Sequence, residues 1–145
     1  MRYTLNSSGK REIFEHLLSV DEDFCPKLSS SVNLENYSEK MFLVADRFEC
    51  WMSNKLVGLI AVYANYDEHQ PFCYITNVSV FNSLTGKGVA DQLMTQVISA
   101  LEERNISRID LHVNKLNFRA INFYRKYKFK DVEETEFRVL MSLAL

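Results

Sequence analysis

The stretch Thr85-Gly86-Lys87-Gly88-Val89-Ala90 lies between an alternating apolar run, residues 74–80, and an amphipathic run, residues 89–101. The chain has four glycines, and two of them fall within this stretch. The pattern predicts a strand, a tight turn and a helix. The first N–H groups of a helix have no intrahelical partner, and the helix dipole favours negative charge there. The stretch therefore predicts a binding site for a phosphate or pyrophosphate group.

Length and composition bound the class of protein. The 145 residues, 47% apolar and 25% charged, predict one globular domain over residues 1–145. A net charge of −2 argues against nucleic-acid binding through a general basic field. The sequence contains no apolar run of membrane-spanning length and no signal-peptide core at its start, so we expect a cytoplasmic protein without a membrane partner. Cys25, Cys50 and Cys73 show no CxxC spacing, which favours reduced thiols and no metal site.

Hydrophobic periodicity predicts a mixed α/β fold. Gly58 inside a predicted strand indicates a bulge or a close backbone approach. Antiparallel strands come first, followed by a β-α-β-α-β order with at least one parallel pair across a crossover helix. The predicted strands are residues 2–5, 48–53, 56–65, 72–80, 109–113, 129–132 and 137–143. The predicted helices are residues 10–19, a segment capped by Asn33, residues 89–101, and a segment from Asn117 to about Tyr127.

A second group of residues lies on the last predicted helix. Asn117 and Tyr124 are about two helical turns apart, so both lie on one face, and the small Ala120 lies between them. This arrangement predicts a helix that flanks a ligand groove. The alternative is that Tyr124 is a half-buried core tyrosine whose hydroxyl reaches water. Three neighbouring aromatic residues are expected in the core: Phe118, Phe123 and Tyr127.

Together the two motifs resemble the Gcn5-related N-acetyltransferase (GNAT) superfamily. The turn matches the acyl-CoA pyrophosphate loop of that family, Arg/Gln-x-x-Gly-x-Gly/Ala, with Thr85 at the Arg/Gln position, Gly88 at the glycine and Ala90 at the Gly/Ala position. Residues 117–129 resemble the Asn-x-x-Ala-x-x-Leu/Phe-Tyr-x-Lys-x-Gly-Phe motif. The order of elements fits over essentially the whole chain. The resemblance implies the GNAT fold, with a central pair of splayed strands.

The resemblance also implies acetyl-CoA as the co-substrate. The backbone of Val78 and Val80, where the strand splays from its neighbour, would pair with the pantetheine arm. Tyr124 matches the usual general acid, which protonates the leaving thiolate of CoA, and Asn117 would help to hold the cofactor near its thiol. The pyrophosphate would bind at the turn, against Thr85, Gly86, Lys87, Gly88, Val89 and Ala90.

The general base and the acceptor stay open at this stage. Family members often carry a glutamate on the strand before the loop, whereas this strand offers Asn77 flanked by threonine and serine. Asp67 and Glu68 in the preceding loop, with Asn77, are candidate acceptor contacts, and a solvated polar loop is the alternative for the two acids. His112 faces opposite its apolar strand neighbours and could reach the cleft, or could serve the structure alone.

The resulting hypothesis is a transfer of acetyl from acetyl-CoA to an amine by direct attack in a ternary complex. A small-molecule acceptor is favoured over a protein, and the enzyme would be a monomer or homodimer. The alternatives are a CoA-binding module without activity, motivated by the missing glutamate and by Thr85, and an unrelated nucleotide-phosphate binder.

One departure from the motif concerns the backbone. Lys128 replaces a glycine that takes a left-handed conformation after the helix. If this geometry is kept, the strain is on the order of 1–2 kcal/mol.

Overall fold

The computed structural model describes residues 1–65 and 69–145, the side chain of Asn65 excepted, and these residues form a seven-stranded sheet with helices on both faces. The helices are α1 (Lys10–Val20), α2 (Leu34–Val44), α3 (Val89–Glu103) and α4 (Phe118–Lys126). The strands are β1 (Arg2–Leu5), β2 (Asp46–Met52), β3 (Lys55–Asn65), β4 (Phe72–Val80), β5 (Arg108–Asn114), β6 (Lys130–Glu134) and β7 (Arg138–Ala144). Every predicted helix and strand is present, with ends shifted by a few residues.

The sheet has the order β1-β2-β3-β4-β5-β7-β6. β4 and β5 run parallel and the other described pairs run antiparallel, which confirms the predicted mixed sheet. A larger core lies between the sheet and α3 and α4, and a smaller core lies between the sheet and α1 and α2. No helix among residues 1–65 and 69–145 has the length and apolar character needed to cross a membrane.

β4 contains a bulge at Thr76. Ile75 pairs with Val62, and Asn77 pairs with the adjacent Ala61, so Thr76 has no partner on β3. A bulge inserts one residue into a strand and reverses the faces that the following side chains take. After Thr76, odd-numbered side chains of β4 therefore point to the face of the sheet that even-numbered side chains occupy before it.

The exchange brings polar side chains onto the face that carries α1. Ile75 belongs to the larger core, and beyond the bulge Val78 and Val80 pack against that same core. Asn77 and Ser79 point the other way and are buried at 3% and 6% exposure. The bulge thus separates an apolar from a polar side of the same strand.

β4 also parts from β5. Pairing between the two strands stops at Ile75. The N–H of Phe81, which directly follows β4, donates to the carbonyl of Val57 on β3 at 2.9 Å. Because backbone groups alternate along a strand, the odd-numbered residues at this end of β4 hydrogen-bond towards β3. The backbone of Val78 and Val80 must then face the opposite edge, where no described strand pairs. This is the splayed pair that the resemblance implies.

Two buried charges on β2 anchor α1 and α2. Arg47 donates to three carbonyls at the C-terminal end of α2, each 3.2 Å away. Glu49 accepts from the backbone N–H groups of Ser7 and Ser8, just before α1, at 2.8 and 3.0 Å. Nε of Arg47 lies 3.5 Å from Oε2 of Glu49, and both side chains are buried. Each charge is therefore compensated by its partner and by hydrogen bonds.

Gly58 allows α3 to approach β3 closely. A Cβ atom at this position would lie 2.9 Å from Cγ1 of Val89 and 3.2 Å from Cδ1 of Leu93. The predicted close approach is confirmed, and it positions the beginning of α3 against the sheet.

The prediction that Phe118 lies in the core is wrong. Its side chain is 67% exposed, because the buried stripe of α4 begins one turn later, at Ile121. Phe123 and Tyr127 pack at the edge of the larger core.

Lys128 keeps the left-handed conformation, with φ of 76°. We expect Lys128→Gly to raise the free energy of unfolding by about 1 kcal/mol, because glycine adopts this conformation without steric cost. Lys130→Gly, on the extended edge strand β6, is the matched control and should lower it by roughly 0.5–1 kcal/mol. Urea denaturation measures both, and a Lys128→Gly variant no more stable than the parent would contradict the strain.

Candidate active site

Two cavities meet where β4 parts from β5. The turn cavity, about 440 Å³, ends at the glycine turn and runs between β4 and the beginnings of α3 and α4. The open groove, about 720 Å³, lies between β4, β5 and the loops that precede α2 and β7. The residues that line both cavities are Phe24, Val78, Asn117, Ala120 and Tyr124. Three of these residues were predicted to face a ligand together, and they share one wall.

The glycine turn has the backbone that the sequence suggests. Gly86 and Gly88 have φ of 79° and 80°, and Gly88 is the N-cap of α3. No side chain caps this helix end among the described residues. The unpartnered N–H groups at the beginning of α3 and its positive dipole end therefore face the turn cavity.

Four of the six turn residues offer open N–H groups. The N–H of Thr85 donates to Asn82 at 3.1 Å, and that of Lys87 donates to Leu84 at 3.2 Å, so the turn itself uses both. The open groups, which have no acceptor among the described residues, belong to Gly86, Gly88, Val89 and Ala90. Four unpartnered donors on residues that line one cavity suit an anion with several oxygens.

The walls of the turn cavity are tied together by Asp91. Its carboxylate accepts hydrogen bonds from Nζ of Lys126 and from the hydroxyl of Tyr127, so the beginning of α3 is joined to the end of α4. The hydrogen bond from Lys126 lowers the pKa of Asp91. Arg119 is the one cationic side chain among the described residues that line this cavity.

Tyr124 lies at the junction of the two cavities. It is 8% exposed, and its ring contacts those of Phe123 and Phe129 at centroid distances of 5.7 and 5.8 Å. Burial raises the pKa of Tyr124 well above its usual value, so the phenol keeps its proton at neutral pH. Asn117 caps α4 by accepting from the N–H of Ala120 at 3.2 Å, which leaves its amide nitrogen free to donate.

The open groove contains a hydrogen-bonded pair of titratable side chains. The hydroxyl of Tyr74 on β4 lies 2.7 Å from Nδ1 of His112 on β5. The pKa of His112 is lowered, first by burial and then by the charge of Arg138, and the imidazole is therefore neutral at pH 7. The hydroxyl of Tyr74 can donate or accept, so Nε2 of His112 can accept a proton in the tautomer whose ring proton lies on Nδ1.

A buried polar network lies beneath β4. His16 on α1 is 2% exposed; its Nδ1 lies 2.9 Å from the carbonyl oxygen of Leu56, and its Nε2 lies 2.8 Å from Oγ of Ser79. Burial lowers the pKa of His16 to about 4, so the ring is neutral at pH 7. Because the Leu56 carbonyl only accepts, the ring proton is on Nδ1, and Nε2 accepts from Ser79.

The same logic orients Asn77. Oγ of Ser79 also lies 2.7 Å from the Asn77 amide, but a hydroxyl has one proton, and that of Ser79 is already donated in the hydrogen bond to His16. Turning the amide so that its nitrogen faces Ser79 satisfies both groups, since that buried nitrogen otherwise has no partner among the described residues. The His16 network, defined by His16, Ser79 and Asn77, is therefore directional.

The candidate acceptor contacts divide into two cases. Asp67 and Glu68 lie outside the described residues. Asn77 is part of the lining of the open groove, with its side chain buried in the His16 network. Sequence reasoning overlooked His16, Tyr74, Arg119 and Arg138. For His16 and Tyr74 the partners lie 63 and 38 residues away, so no local signal could have revealed them.

The model of the acetyltransferase (GNAT) family matches residues 10–129. With the fold of the described residues, this match defines an acyltransferase. More particularly, the chain belongs to the GNAT family of acetyltransferases.

Solved structures share this fold over the full length. PH1933 from Pyrococcus horikoshii OT3 is 21% identical, with a TM-score of 0.80 and 99% of each chain covered. The PaiA N-acetyltransferase from Thermoplasma acidophilum, in complex with coenzyme A, is 12% identical, with a TM-score of 0.76 and full coverage of both chains. Naa50 from Arabidopsis thaliana, in complex with the bisubstrate analogue CoA-Ac-MVNAL, is 19% identical, with a TM-score of 0.76 and full coverage of both. At these identities the likeness concerns the fold.

The His16 network predicts a pH dependence of stability. In the unfolded chain the histidine pKa is near 6.5, and in the folded protein that of His16 is about 4. Between these values the unfolded state binds the additional proton, so the free energy of unfolding should fall by about 3 kcal/mol as the pH drops from 6.5 to 4.

Urea denaturation of the parent and of His16→Gln across this pH range measures the effect. The variant should lack that part of the slope, and His69→Gln, at an exposed histidine, should retain it. Parallel pH profiles for the parent and His16→Gln would contradict a neutral buried His16.

Proposed function

We propose that this protein transfers acetyl from acetyl-CoA to the amine of a small molecule, by direct attack within a ternary complex. The observation that carries the proposal is the junction of two cavities at Tyr124, one ending at the glycine turn and the other containing His112. A donor and an acceptor bound in these cavities meet beside the same phenol. A cytoplasmic location, a single domain and a monomeric or homodimeric state stay predictions from the sequence.

The donor would occupy the turn cavity. Its pyrophosphate would bind the open N–H groups of the turn, with Arg119 as the one cationic side chain among the described residues of the lining. The pantetheine arm would continue along the free edge of β4, pairing with the backbone of Val78 and Val80 as an additional strand would. A backbone N–H on this edge can donate a hydrogen bond to the thioester carbonyl, and this hydrogen bond becomes stronger as negative charge develops on the carbonyl oxygen.

Tyr124 would protonate the leaving group. The amine nitrogen forms a bond to the carbonyl carbon, and the bond from that carbon to sulfur breaks. The phenol of Tyr124 hydrogen-bonds the departing thiolate and gives it a proton, so that CoA leaves as a thiol. The raised pKa of Tyr124 ensures that this proton is present throughout the neutral pH range.

His112 would remove the proton that the amine loses. An amine is protonated at neutral pH and must be deprotonated before it attacks. With its proton on Nδ1 and directed at Tyr74, the imidazole of His112 offers Nε2 as an acceptor, directly or through a water molecule. This pair would take the role of the glutamate that β4 lacks, and Tyr74 would fix the orientation of the ring.

The donor assignment is tested by thermal shift. Acetyl-CoA and CoA at millimolar concentration should each raise the melting temperature by several degrees, because a ligand that binds only the folded state stabilises it. ATP at the same concentration should have a smaller effect. If neither acetyl-CoA nor CoA raises the melting temperature, the proposal is refuted.

Tyr124→Phe should separate binding from chemistry. The variant keeps the buried ring and loses the hydroxyl, so we expect the thermal shift with CoA to persist while turnover falls about 10²-fold. Thiol release with a broad amine panel measures turnover. Unchanged turnover would remove Tyr124 from its role, and CoA binding without release from any amine would favour the binding-module alternative.

His112→Gln should lower turnover and alter its pH profile. The parent should lose activity in the acidic range as His112 takes up a proton, at a pH below the ordinary histidine pKa because burial lowers it. The variant should show turnover about 10²-fold lower and no inflection in that range. An identical inflection in the parent and the variant would assign the base elsewhere.

A further inference from the structure

The charged side chains among the described residues that line the open groove are of one sign, positive. Among the described residues that line it, Arg138 is the only one that carries a permanent charge, and none is an aspartate or glutamate. No carboxylate of the described residues lies within salt-bridge distance of its guanidinium. The groove therefore offers a cation with no salt-bridge partner among the described residues, while the carboxylates of Asp110 and Glu133 act on His112 from outside the lining.

Arg138 is held near the proposed base. It pairs with Asn114, and His112 pairs with Leu140, so Arg138 and His112 are diagonal neighbours on adjacent strands. Paired residues share a face of the sheet, and side chains two apart on a strand share it as well, which puts both side chains on one face. Diagonal neighbours are about 7–8 Å apart. The charge of Arg138 lowers the pKa of His112, which agrees with this proximity, and the smaller opposing effects come from the carboxylates of Asp110 and Glu133.

The backbone around Arg138 is rigid. The N–H of Thr135 donates to the carbonyl of Arg138 at 2.9 Å, and the N–H of Arg138 donates to Oγ1 of Thr135 at 3.2 Å. The carbonyl of Phe137 accepts from the N–H of Lys115 at 2.9 Å, which ties this turn to the segment that precedes α4. The backbone that carries Arg138 is thus fixed at the rim of the groove.

These observations bear on the acceptor of the proposed transfer, and the inference rests on that proposal. A simple ammonium would be repelled by Arg138 and would find no opposing carboxylate on the described walls. An amine that carries its own carboxylate has no such difficulty, since the carboxylate can form a bidentate pair with the guanidinium. The positive charge also favours the neutral, nucleophilic form of the nearby amine.

We infer that the acceptor is a small amino carboxylate, whose carboxylate binds Arg138 while its amine lies beside His112 and the thioester. The spacing of the two side chains suits an amine and a carboxylate separated by a few bonds. One guanidinium neutralises one carboxylate, whereas a phosphate dianion would leave a charge uncompensated. The volume of about 720 Å³ accommodates a molecule of this size.

The test measures the binding of products, which needs no turnover. Isothermal titration in the presence of CoA would use the N-acetyl derivatives of the α-amino acids, β-alanine and γ-aminobutyrate, each beside its uncharged amide. At least one carboxylate should bind about 10- to 100-fold more tightly than its amide. N-acetylputrescine and N-acetyl-phosphoethanolamine are titrated in the same way, to test a cationic and a phosphate group in place of the carboxylate.

Arg138→Gln should weaken the binding of the preferred carboxylate about 10- to 100-fold and leave its amide unaffected. Arg138→Lys, which keeps the charge without the planar fork, should retain part of the preference. Arg119→Gln is the matched control in the turn cavity and should weaken CoA without altering the ratio of carboxylate to amide.

The two proposals fail in different ways. Absence of CoA binding would refute the transferase and leave no acceptor to assign. If CoA binds, then equal affinity for carboxylates and amides, no binding by any carboxylate, or preference for the putrescine or phosphate arm would each overturn the inference. Acetylation of a peptide amine that has no neighbouring carboxylate would also overturn it, with acetyl transfer itself upheld.

Discussion

The parting of β4 from β5 after Ile75 is the constraint on which the rest of the molecule depends. Two parallel strands that stayed paired would have a continuous ladder and no opening between them. Because they separate, the backbone of Val78 and Val80 keeps unused hydrogen-bonding groups in the interior of the sheet. Such groups are costly when nothing pairs with them, so the gap predisposes the fold to take up an extended ligand. Both cavities are consequences of this single separation.

The separated part of β4 is held from beneath by side chains of α1 and α2. The hydroxyl of Tyr37 donates to the carbonyl of Thr76 at 2.7 Å, at the bulge where β3 offers no partner. Three residues further along the strand, Nε2 of His16 accepts a hydrogen bond from the hydroxyl of Ser79. These contacts fix the position of this part of β4, which pairing with β5 would otherwise have fixed. Polar residues under an active strand are thus part of how the gap is kept open, since satisfied buried networks rigidify their surroundings.

Local patterns in the sequence predicted most of the fold and the backbone geometry of the glycine turn. The glycine turn and the caps at Asn33 and Asn117 depend on neighbours within one helical turn, and all three are present. The bulge at Thr76 could not be predicted, because alternation of burial continues through it while the faces exchange. The pairing of Tyr74 with His112 depends on strand register across 38 residues, which no local periodicity encodes. The assigned roles in binding and catalysis stay predictions.

The Arg47–Glu49 pair fixes one end of the α1–α2 helical hairpin and makes no contact with the loop at the other end among the described hydrogen bonds. It secures the beginning of α1 and the end of α2, which lie at the same end of that helical hairpin. The loop that joins the two helices, and that contributes Phe24 to both cavities, is at the far end from this anchor. Substitutions, insertions or deletions in the loop would leave the anchor intact. A chain built this way can vary the residues that its loop contributes to both cavities while the packing of its first two helices on the sheet stays the same.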